Sequence, residues 1–439
     1  MNSTPAHDSM PARRIRTRTP RRRRKARVGW LFTGFALLAT VHLPIYQTSE
    51  KAVGWFDLAV CLLSPVALWW LFRQKISWRL PFYSAAYLGM ALFTLYAGIT
   101  LAMNWNRPML SLLGEENFDF PALLYIKQIE YLLIVLCTLY LGRRINPVTL
   151  LVSLGLSLSC VALYGFHSMF ISKIWYRLGL IYMTGDASSN PGGFVLSICL
   201  LCLIGAASQM RWHHSKRLIL FILFSGMVGY AALIFSYSRT NNLSFLVCFG
   251  VFIFPLIRRH LLLITCLLIP VVLAANELFS LFSTAHHMNQ YGISPLVFLT
   301  HPSLIWNDPS LRMRLNDVWG NAYGAWHGSC LTIAFGIGFG KLRLADGLYP
   351  NLLFTTGIFG LLLYLTPMAI LAWQGPRIVR CLMLFILLNG ISTETTINSF
   401  RSTQVLYVYL PAFLVLLHRS KLALNGGQTG RGAEPRNTA

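Results

Sequence analysis

The sequence predicts an all-α integral membrane protein with about twelve transmembrane helices. Three observations lead to this fold class. Hydrophobic residues make up 55% of the 439 residues and charged residues only 12%, whereas an ordinary soluble domain is about 25% charged. Apolar runs recur along the chain, each about 18 or more residues long and therefore able to cross a bilayer as a helix. Basic residues are concentrated in alternate gaps between these runs, as in cytoplasmic loops.

The apolar runs divide the chain into a membrane domain at residues 29–418 and two polar tails. The longest polar interruption, at about residues 282–347, predicts one large loop between the ninth and tenth spans. Its tryptophans, arginines and glycines favour a functional loop over a disordered one. The predicted spans are residues 29–48, 53–72, 82–103, 122–141, 148–171, 191–210, 218–236, 241–257, 261–281, 348–372, 378–393 and 403–418.

Charge predicts the orientation of the spans. Residues 1–28 form an arginine-rich tail, and the remaining basic residues of this chain, whose net charge is +23, mostly lie in short gaps between spans. If the tail is cytoplasmic, every gap on its side contains lysine or arginine, and the opposite gaps include the acidic stretch 114–119. Both tails, 1–28 and 419–439, are therefore predicted to be cytoplasmic and disordered, and the large loop to be extracytoplasmic. The basic tail is expected to contact anionic membrane lipid rather than nucleic acid.

The fourth predicted span contains the charged residues Lys127 and Glu130. Their i, i+3 spacing places them on one face of a helix, where they can neutralise each other. Charge inside a membrane span is costly and often functional. Both residues, however, lie near the outer end of the span, where long side chains can reach the surface. We predict an ion pair and leave its function open.

The sequence contains none of the common motifs of nucleotide-dependent or metal-dependent enzymes. It has no GxxxxGK[ST] phosphate loop and no cluster of metal-ligand spacing outside the membrane, so no cofactor and no metal is expected. Gly336, Gly338 and Gly340 resemble a dinucleotide loop only superficially, because no βαβ unit surrounds them. We predict a tight turn that leads the chain back to the membrane.

Several arginines and one acidic residue lie at the predicted outer face. Arg239 lies where the seventh span leaves the membrane, Arg312 and Arg314 lie in the large loop, and Asp346 precedes the tenth span. Guanidinium groups bind phosphate oxygens bidentately and keep their charge at physiological pH. Two or three of them beside a carboxylate can hold a diphosphate while the carboxylate accepts a proton from an attacking hydroxyl. A membrane-surface anchor explains each single arginine equally well, and an N-cap of the tenth helix explains Asp346.

Segments in a fixed order resemble the O-antigen ligase and polymerase superfamily. They are SNPGGFVLSICLLCLIG at 189–205, SYSRTNN around Arg239, R-x-x-x-x-W from Arg314 to Trp319, and GIGFG followed by GIFGLLLYL as the tenth span begins. The resemblance covers roughly residues 185–375, and the predicted topology with both ends inside is similar too. Each motif is weak alone, and the specificity lies in their order, spacing and side of the membrane.

The resemblance implies a glycosyl transfer at the outer face of the bacterial inner membrane. The donor would be a polyprenyl-diphosphate-linked glycan, and neither a nucleotide sugar nor a metal would be needed. A regulator of chain length is a candidate protein partner. The expected catalytic residues are Asp346, Arg314 and Arg239, and the expected substrate-binding residues are Arg312, Trp319, Tyr349 and Asn190.

One departure from the family pattern favours the polymerase branch. Ligases have a histidine-asparagine pair at the position that Asp346 occupies ahead of Gly357. An acidic residue there resembles the polysaccharide polymerases, which join lipid-linked repeat units of O-antigen or exopolysaccharide. Two alternatives remain: a ligase that transfers the glycan to a lipid A-core acceptor, and a secondary transporter or flippase of lipid-linked glycan. The mostly uncharged spans and the polar outer face favour surface chemistry over transport.

Overall fold

The computed structural model describes residues 20–41, 44–47, 52–73, 82–107, 121–170, 189–208, 216–236, 238–257, 316, 319–341, 347–391 and 400–429. These residues form helices and one short antiparallel hairpin. The hairpin consists of β1 (Pro44–Gln47) and β2 (Ala52–Gly54). The helices are α1 (Pro20–Thr40), α2 (Trp55–Phe72), α3 (Phe82–Met103), α4 (Pro121–Gly142), α5 (Pro147–Phe170), α6 (Ser189–Ser208), α7 (Lys216–Phe235), α8 (Arg239–Ile257), α9 (Gly320–Trp326), α10 (Cys330–Phe335), α11 (Leu348–Gln374), α12 (Arg377–Gly390) and α13 (Phe400–Thr429).

The helices confirm the predicted class of α-helical membrane protein. Seven of those described, α2 to α7 and α11, are long and apolar enough to cross a membrane. Shorter apolar stretches lie in α1 at Arg27–Thr40 and in α8 at Thr240–Phe254. The predicted span 261–281 and most of the predicted loop 282–347 lie outside the described residues. The count of twelve spans and the large loop therefore stay predictions.

Two helices extend beyond the predicted membrane domain 29–418, and α1 ends before its predicted span does. Helix α1 starts at Pro20, inside the tail 1–28, and α13 runs to Thr429, inside the tail 419–439. Proline suits the first helical position, and arginine and lysine are good helix formers, so a helix need not end with its apolar residues. At its other end α1 stops at Thr40 rather than residue 48, because the chain turns into the hairpin at Pro44.

Helix α6 is the central helix of the described bundle. Of its apolar stretch Pro191–Ser208, 83% is buried against neighbouring helices. Elsewhere in the core, hydroxyl side chains link helices: Thr33 of α1 bonds Ser153 of α5 at 2.8 Å. Interhelical hydrogen bonds of this kind stabilise helix pairs in membranes. Because most of α6 is buried, its N-terminus lies inside the bundle, at the end where the candidate site lies.

Contacts between helix ends define two ends of the bundle. The Arg419 guanidinium on α13 donates hydrogen bonds to the carbonyl oxygens of Arg143 and Ile145 in the α4–α5 turn, at 3.1 and 2.9 Å. At the start of α12, Arg377 donates to the carbonyl of Val251 on α8. Charge alternation assigns these residues to the cytoplasmic side, so we call this the predicted inner end. At the opposite, predicted outer end, α4, α11 and α13 begin and α3 and α12 finish.

Candidate functional site

The predicted site residues differ in how far the structure describes them. Arg312, Arg314 and Asp346 lie outside the described residues. Arg239 is the first residue of α8, and Asn190 is the second residue of α6. The surroundings of positions 190, 239 and 347 show whether the predicted site has one location in the fold.

Tyr349 lies in the first turn of α11 and links this helix to α12. Its hydroxyl donates a hydrogen bond of 2.6 Å to the carbonyl oxygen of Leu387. The ring also packs against Gly390, where an added Cβ would lie 3.2 Å from the Tyr349 Cζ atom. The Tyr349 hydroxyl therefore bonds the protein backbone, and its role in binding substrate stays a prediction.

Trp319 lies beside the start of α11. Its half-buried ring packs in a small apolar cluster with Ile337 and Phe354. A Cβ added to Gly347 would lie 3.1 Å from the Trp319 Cζ2 atom. Trp319 therefore lies beside Gly347, the residue that follows Asp346 in the sequence.

Three buried residues, Ser238, Asn241 and Asn389, form what we call the amide network. The Asn389 amide on α12 donates to the Asn241 side-chain oxygen on α8. The Asn241 amide in turn donates to the Ser238 hydroxyl at 2.7 Å. The first turn of α8 therefore contacts the last turn of α12, and the first turn of α11 contacts it too through Tyr349. The starts of α8, at position 239, and of α11, just after Gly347, therefore both lie close to the last turn of α12.

The N-terminus of α6 packs against the same network. A Cβ added to Gly193 would lie 2.8 Å from the Asn241 amide nitrogen and 3.1 Å from the Ser238 Cβ. Only glycine therefore allows α6 to approach this closely. One helical turn further along α6, the Ser197 hydroxyl is buried and has no hydrogen-bond partner among the described residues. Asn190 lies three residues before Gly193, so the fold brings it to this region as well.

Helix α11 is broken near its outer end at Gly357, whose φ is 70° and ψ −174°. The segment Gly336–Gly340, which we call the glycine clasp, lies against this break. The backbone N–H groups of Ile337 and Gly338 donate to the carbonyl oxygens of Phe354 and Thr355, at 2.9 and 3.0 Å. The next carbonyl, that of Thr356, accepts from the Tyr96 hydroxyl at 3.0 Å. All three carbonyls near the break therefore have protein donors, as burial away from water requires.

The glycines of the clasp have the backbone conformation that the predicted tight turn needs. Gly336, Gly338 and Gly340 have φ values of 78°, 116° and 75°, which side chains other than glycine rarely adopt. A Cβ at Gly336 would lie 2.3 Å from the Thr355 backbone, so close contact with α11 also requires glycine. The interpretation as a turn rather than a dinucleotide loop fits this geometry.

Lys341 fixes the end of the clasp. It is buried, and its Nζ donates to the carbonyl oxygens of Trp105 and Arg107 beyond the end of α3, both at 2.8 Å. Cations are favourable at helix C-termini, where carbonyl groups lack helical partners. Lys341 therefore ties the end of the clasp to the end of α3.

Four residues from three helices form a second cluster, which we call the charged network. The predicted ion pair between Lys127 and Glu130 is present, with 2.6 Å between Nζ and Oε2. Asp57 of α2 lies 3.5 Å from the same Nζ. The Gln404 amide on α13 donates to both carboxylates, at 3.1 Å to Asp57 and 3.0 Å to Glu130. The side chains of Asp57, Lys127 and Glu130 are 15–18% exposed.

Sequence reasoning missed Asp57, Gln404 and the amide network. The available signals were an acidic residue in the first turn of α2 and polar residues at the ends of α12 and α13. Such residues become partners only through helix packing, which hydropathy does not encode. Comparison of the chain with protein-family models, with curated proteins and with solved structures finds no match.

Proposed function

We propose that this protein polymerises polyprenyl-diphosphate-linked oligosaccharide repeat units, of O-antigen or exopolysaccharide, at the outer face of the bacterial inner membrane. One observation carries the proposal. The first turn of α8, which starts at Arg239, and the first turn of α11, which follows Asp346, both contact the last turns of α12. The start of α8 and the start of α11, which are distant in the chain, are thus close to the same end of α12, and this supports a single site there.

The proposed reaction assigns each group a step. Arg239 and Arg314, with Arg312, bind the diphosphate of the donor through bidentate hydrogen bonds. Asp346 accepts the proton of the acceptor hydroxyl as its oxygen bonds to the anomeric carbon. The bond between that carbon and the phosphate oxygen breaks, and the polyprenyl diphosphate leaves with the electron pair. The arginines stabilise the charge that develops on it.

The electrostatics of the amide network suit this assignment. Ser238, Asn241 and Asn389 are neutral and buried, so they place no negative charge beside position 239. The carboxylates of Asp57 and Glu130 are already engaged by Lys127 and Gln404. Within the described residues of these two networks, no carboxylate competes with a diphosphate for the proposed arginine site.

The proposal is tested by the glycan profile of a deletion strain that carries variants of the gene. Asp346→Asn should leave single repeat units in place of polymer, because asparagine keeps an N-cap but cannot accept a proton. Arg239→Gln should give the same profile, whereas Arg258→Gln, at the predicted inner face, should not. Full-length polymer from Asp346→Asn at normal protein level would show that Asp346 is not the base.

The same experiment separates the ligase alternative. Loss of a polymerase leaves single units attached to the acceptor. Loss of a ligase leaves long polymer still attached to the polyprenyl lipid. Accumulation of long lipid-linked polymer in the Asp346→Asn strain would therefore favour transfer to a lipid A-core acceptor over polymerisation.

One observation favours the transporter or flippase alternative. Helix α11 is broken at Gly357, and discontinuous helices commonly form the binding sites of secondary transporters. In such sites the carbonyl groups at the break coordinate ions or substrate, whereas here those of Phe354, Thr355 and Thr356 accept hydrogen bonds from the protein. A deletion strain with lipid-linked units retained on the cytoplasmic side would support transport and contradict polymerisation.

A further inference from the structure

Arginines and aromatic rings meet at the predicted inner end of the bundle, where α2 and α4 finish. The Arg143 guanidinium contacts two rings there, with its Cζ atom 4.7 Å from the centroid of Trp70 and 4.6 Å from that of Tyr140. Arg73, at the end of α2, lies over the Trp69 ring at 4.0 Å. Cation–π contacts of this kind restrict the position of a guanidinium group. We call this region the arginine corner, and it comprises Arg73, Arg143, Arg144, Arg419, Trp69, Trp70 and Tyr140.

No carboxylate in the described part of the chain neutralises these arginines. The acidic residues of that part are Asp57 and Glu130, and both belong to the charged network at the predicted outer end. Along α4, the distance from Glu130 to Arg143 is about 20 Å at the rise of an α-helix. Within the described residues, the arginine corner therefore carries an uncompensated positive charge that attracts anions.

Two donors of the arginine corner lack acceptors. The Nε atom of Arg143 and the Nε1 atom of Trp70 are buried and have no hydrogen-bond partner among the described residues. The nearby carbonyl oxygens of Arg143 and Ile145 already accept hydrogen bonds from Arg419. Burial and the neighbouring charge of Arg144 lower the pKa of Arg143, and a bound anion would oppose this shift because it favours the charged form.

An exposed apolar stripe on α2 leads to the arginine corner. Its members recur every three or four residues, so they share one face of the helix, and each is 41–69% exposed: Leu58, Leu62, Val66 and Trp69. From Leu58 to Trp69 the stripe spans about 16 Å, or about half of a hydrocarbon core of ~30 Å. The stripe therefore matches the length of an acyl chain in one leaflet, with the arginines at the level of its headgroup.

We infer that the arginine corner binds the headgroup phosphate of an anionic phospholipid whose acyl chain lies along the stripe of α2. The phosphodiester oxygens accept the bidentate hydrogen bonds that guanidinium groups donate. A headgroup with net negative charge is favoured over a zwitterionic one, because the neighbouring arginines repel an ammonium group. A free phosphate ion would make no use of the apolar stripe. The inference does not depend on the proposed glycan chemistry, because the corner and the starts of α8 and α11 lie at opposite ends of the bundle.

The test compares the affinities of two phospholipids with identical acyl chains. The full chain is purified in a neutral detergent, freed of lipid, and titrated with dioleoyl phosphatidylglycerol or dioleoyl phosphatidylcholine, while native mass spectrometry counts the lipids bound. The first phosphatidylglycerol should bind the wild type about tenfold more tightly than phosphatidylcholine, as one charge-assisted hydrogen bond predicts. Arg143→Gln should remove this preference. Arg217→Gln, at the exposed start of α7 and the same predicted inner end, is the matched control and should keep it.

Two further variants separate a formed site from diffuse attraction. Arg143→Lys keeps the charge but loses the planar group that contacts both rings, and Tyr140→Leu keeps the arginine but removes one ring. Each should weaken phosphatidylglycerol binding about threefold, as the loss of a cation–π contact predicts. The affinity for phosphatidylcholine should not change, and size-exclusion chromatography checks that each variant is folded.

Three results would overturn the inference. Equal affinity of the wild type for the two phospholipids would remove the preference for an anionic headgroup. An equal loss in Arg143→Gln and Arg217→Gln would mean that only the total charge of this end matters. Displacement of phosphatidylglycerol by millimolar inorganic phosphate would identify a site for the free ion instead of the lipid. Glycan synthesis plays no part in these measurements, so failure of the lipid site and failure of the proposed function can be told apart.

Discussion

The charged network and the amide network lie at the same predicted outer end but differ in how their polar groups are satisfied. In the charged network, Asp57 accepts hydrogen bonds from Lys127, Gln404 and the backbone N–H of Gly54. Glu130 accepts from Lys127 and Gln404. The amide network carries no charge, and the buried Ser197 hydroxyl close to it has no partner among the described residues.

The difference separates a structural cluster from a candidate binding region. In the charged network one lysine and one amide engage both carboxylates, and these contacts join α2, α4 and α13. The amide network joins α8 and α12 where Arg239 starts α8. We expect changes in the charged network to act mainly on stability, and changes in the amide network to act on both stability and glycan synthesis.

The largest effect is expected for Lys127→Met. This change leaves the Asp57 and Glu130 carboxylates close together without a cation, and removing one partner of a buried ion pair costs about 3 kcal/mol. The free energy of unfolding in detergent micelles should fall by that amount. Lys127→Arg, which keeps the charge, should lose much less.

The same variant tests whether the charged network is only structural. At a temperature where Lys127→Met is still folded, polymer length should equal that of the wild type. If folded Lys127→Met loses polymer synthesis, the charged network also has a functional role. The two networks would then not differ in the way proposed here.

An intermediate effect is expected for Asn389→Leu. Leucine has a similar volume, but it removes the buried hydrogen bond that Asn389 donates to Asn241, at a cost of about 2 kcal/mol. Because Asn241 lies in the first turn of α8, the start of that helix should shift and polymer synthesis should fall. Asn146→Leu, at the exposed start of α5, is a control for loss of an asparagine and should leave synthesis unchanged. Unchanged synthesis in Asn389→Leu would show that the amide network does not contribute to the proposed site.

These two variants also show what the sequence can predict. The bond between Lys127 and Glu130 follows from i, i+3 spacing within one helix, so the sequence predicted it correctly. The bond between Asn389 and Asn241 joins helices 148 positions apart, and helix spacing contains no information about which helices are neighbours. Hydropathy likewise predicted the helices but not their extensions beyond the predicted spans, where arginine and lysine continue α1 and α13.

The candidate site was predictable only in part for the same reason. The glycine spacing at 336–340 indicated a turn, because glycine favours positive φ. Its contact with the break at Gly357 depends on the packing of α10 against α11, which no local pattern reveals. The positions of Arg312, Arg314 and Asp346 within the site remain predictions.

A smaller effect is expected for Gly193→Ala. The added Cβ would lie 2.8 Å from the Asn241 amide nitrogen, and overpacking of this kind costs about 1.5 kcal/mol. The amide network must shift, so synthesis should fall along with stability. Gly250→Ala in α8 is the matched control, since nothing lies within 4 Å of an added Cβ there. Removing a glycine from a helix should then stabilise the protein slightly.

The smallest effect is expected for Tyr349→Phe, which tests the link between α11 and α12. The change removes the hydrogen bond from the Tyr349 hydroxyl to the Leu387 carbonyl and should cost about 1 kcal/mol. If that bond is the whole role of the hydroxyl, polymer length at saturating donor should stay normal. A loss of synthesis without a loss of stability would instead mean that the hydroxyl turns from Leu387 toward substrate. The first turn of α11 would then be part of the binding surface itself, whereas the amide network would only support it.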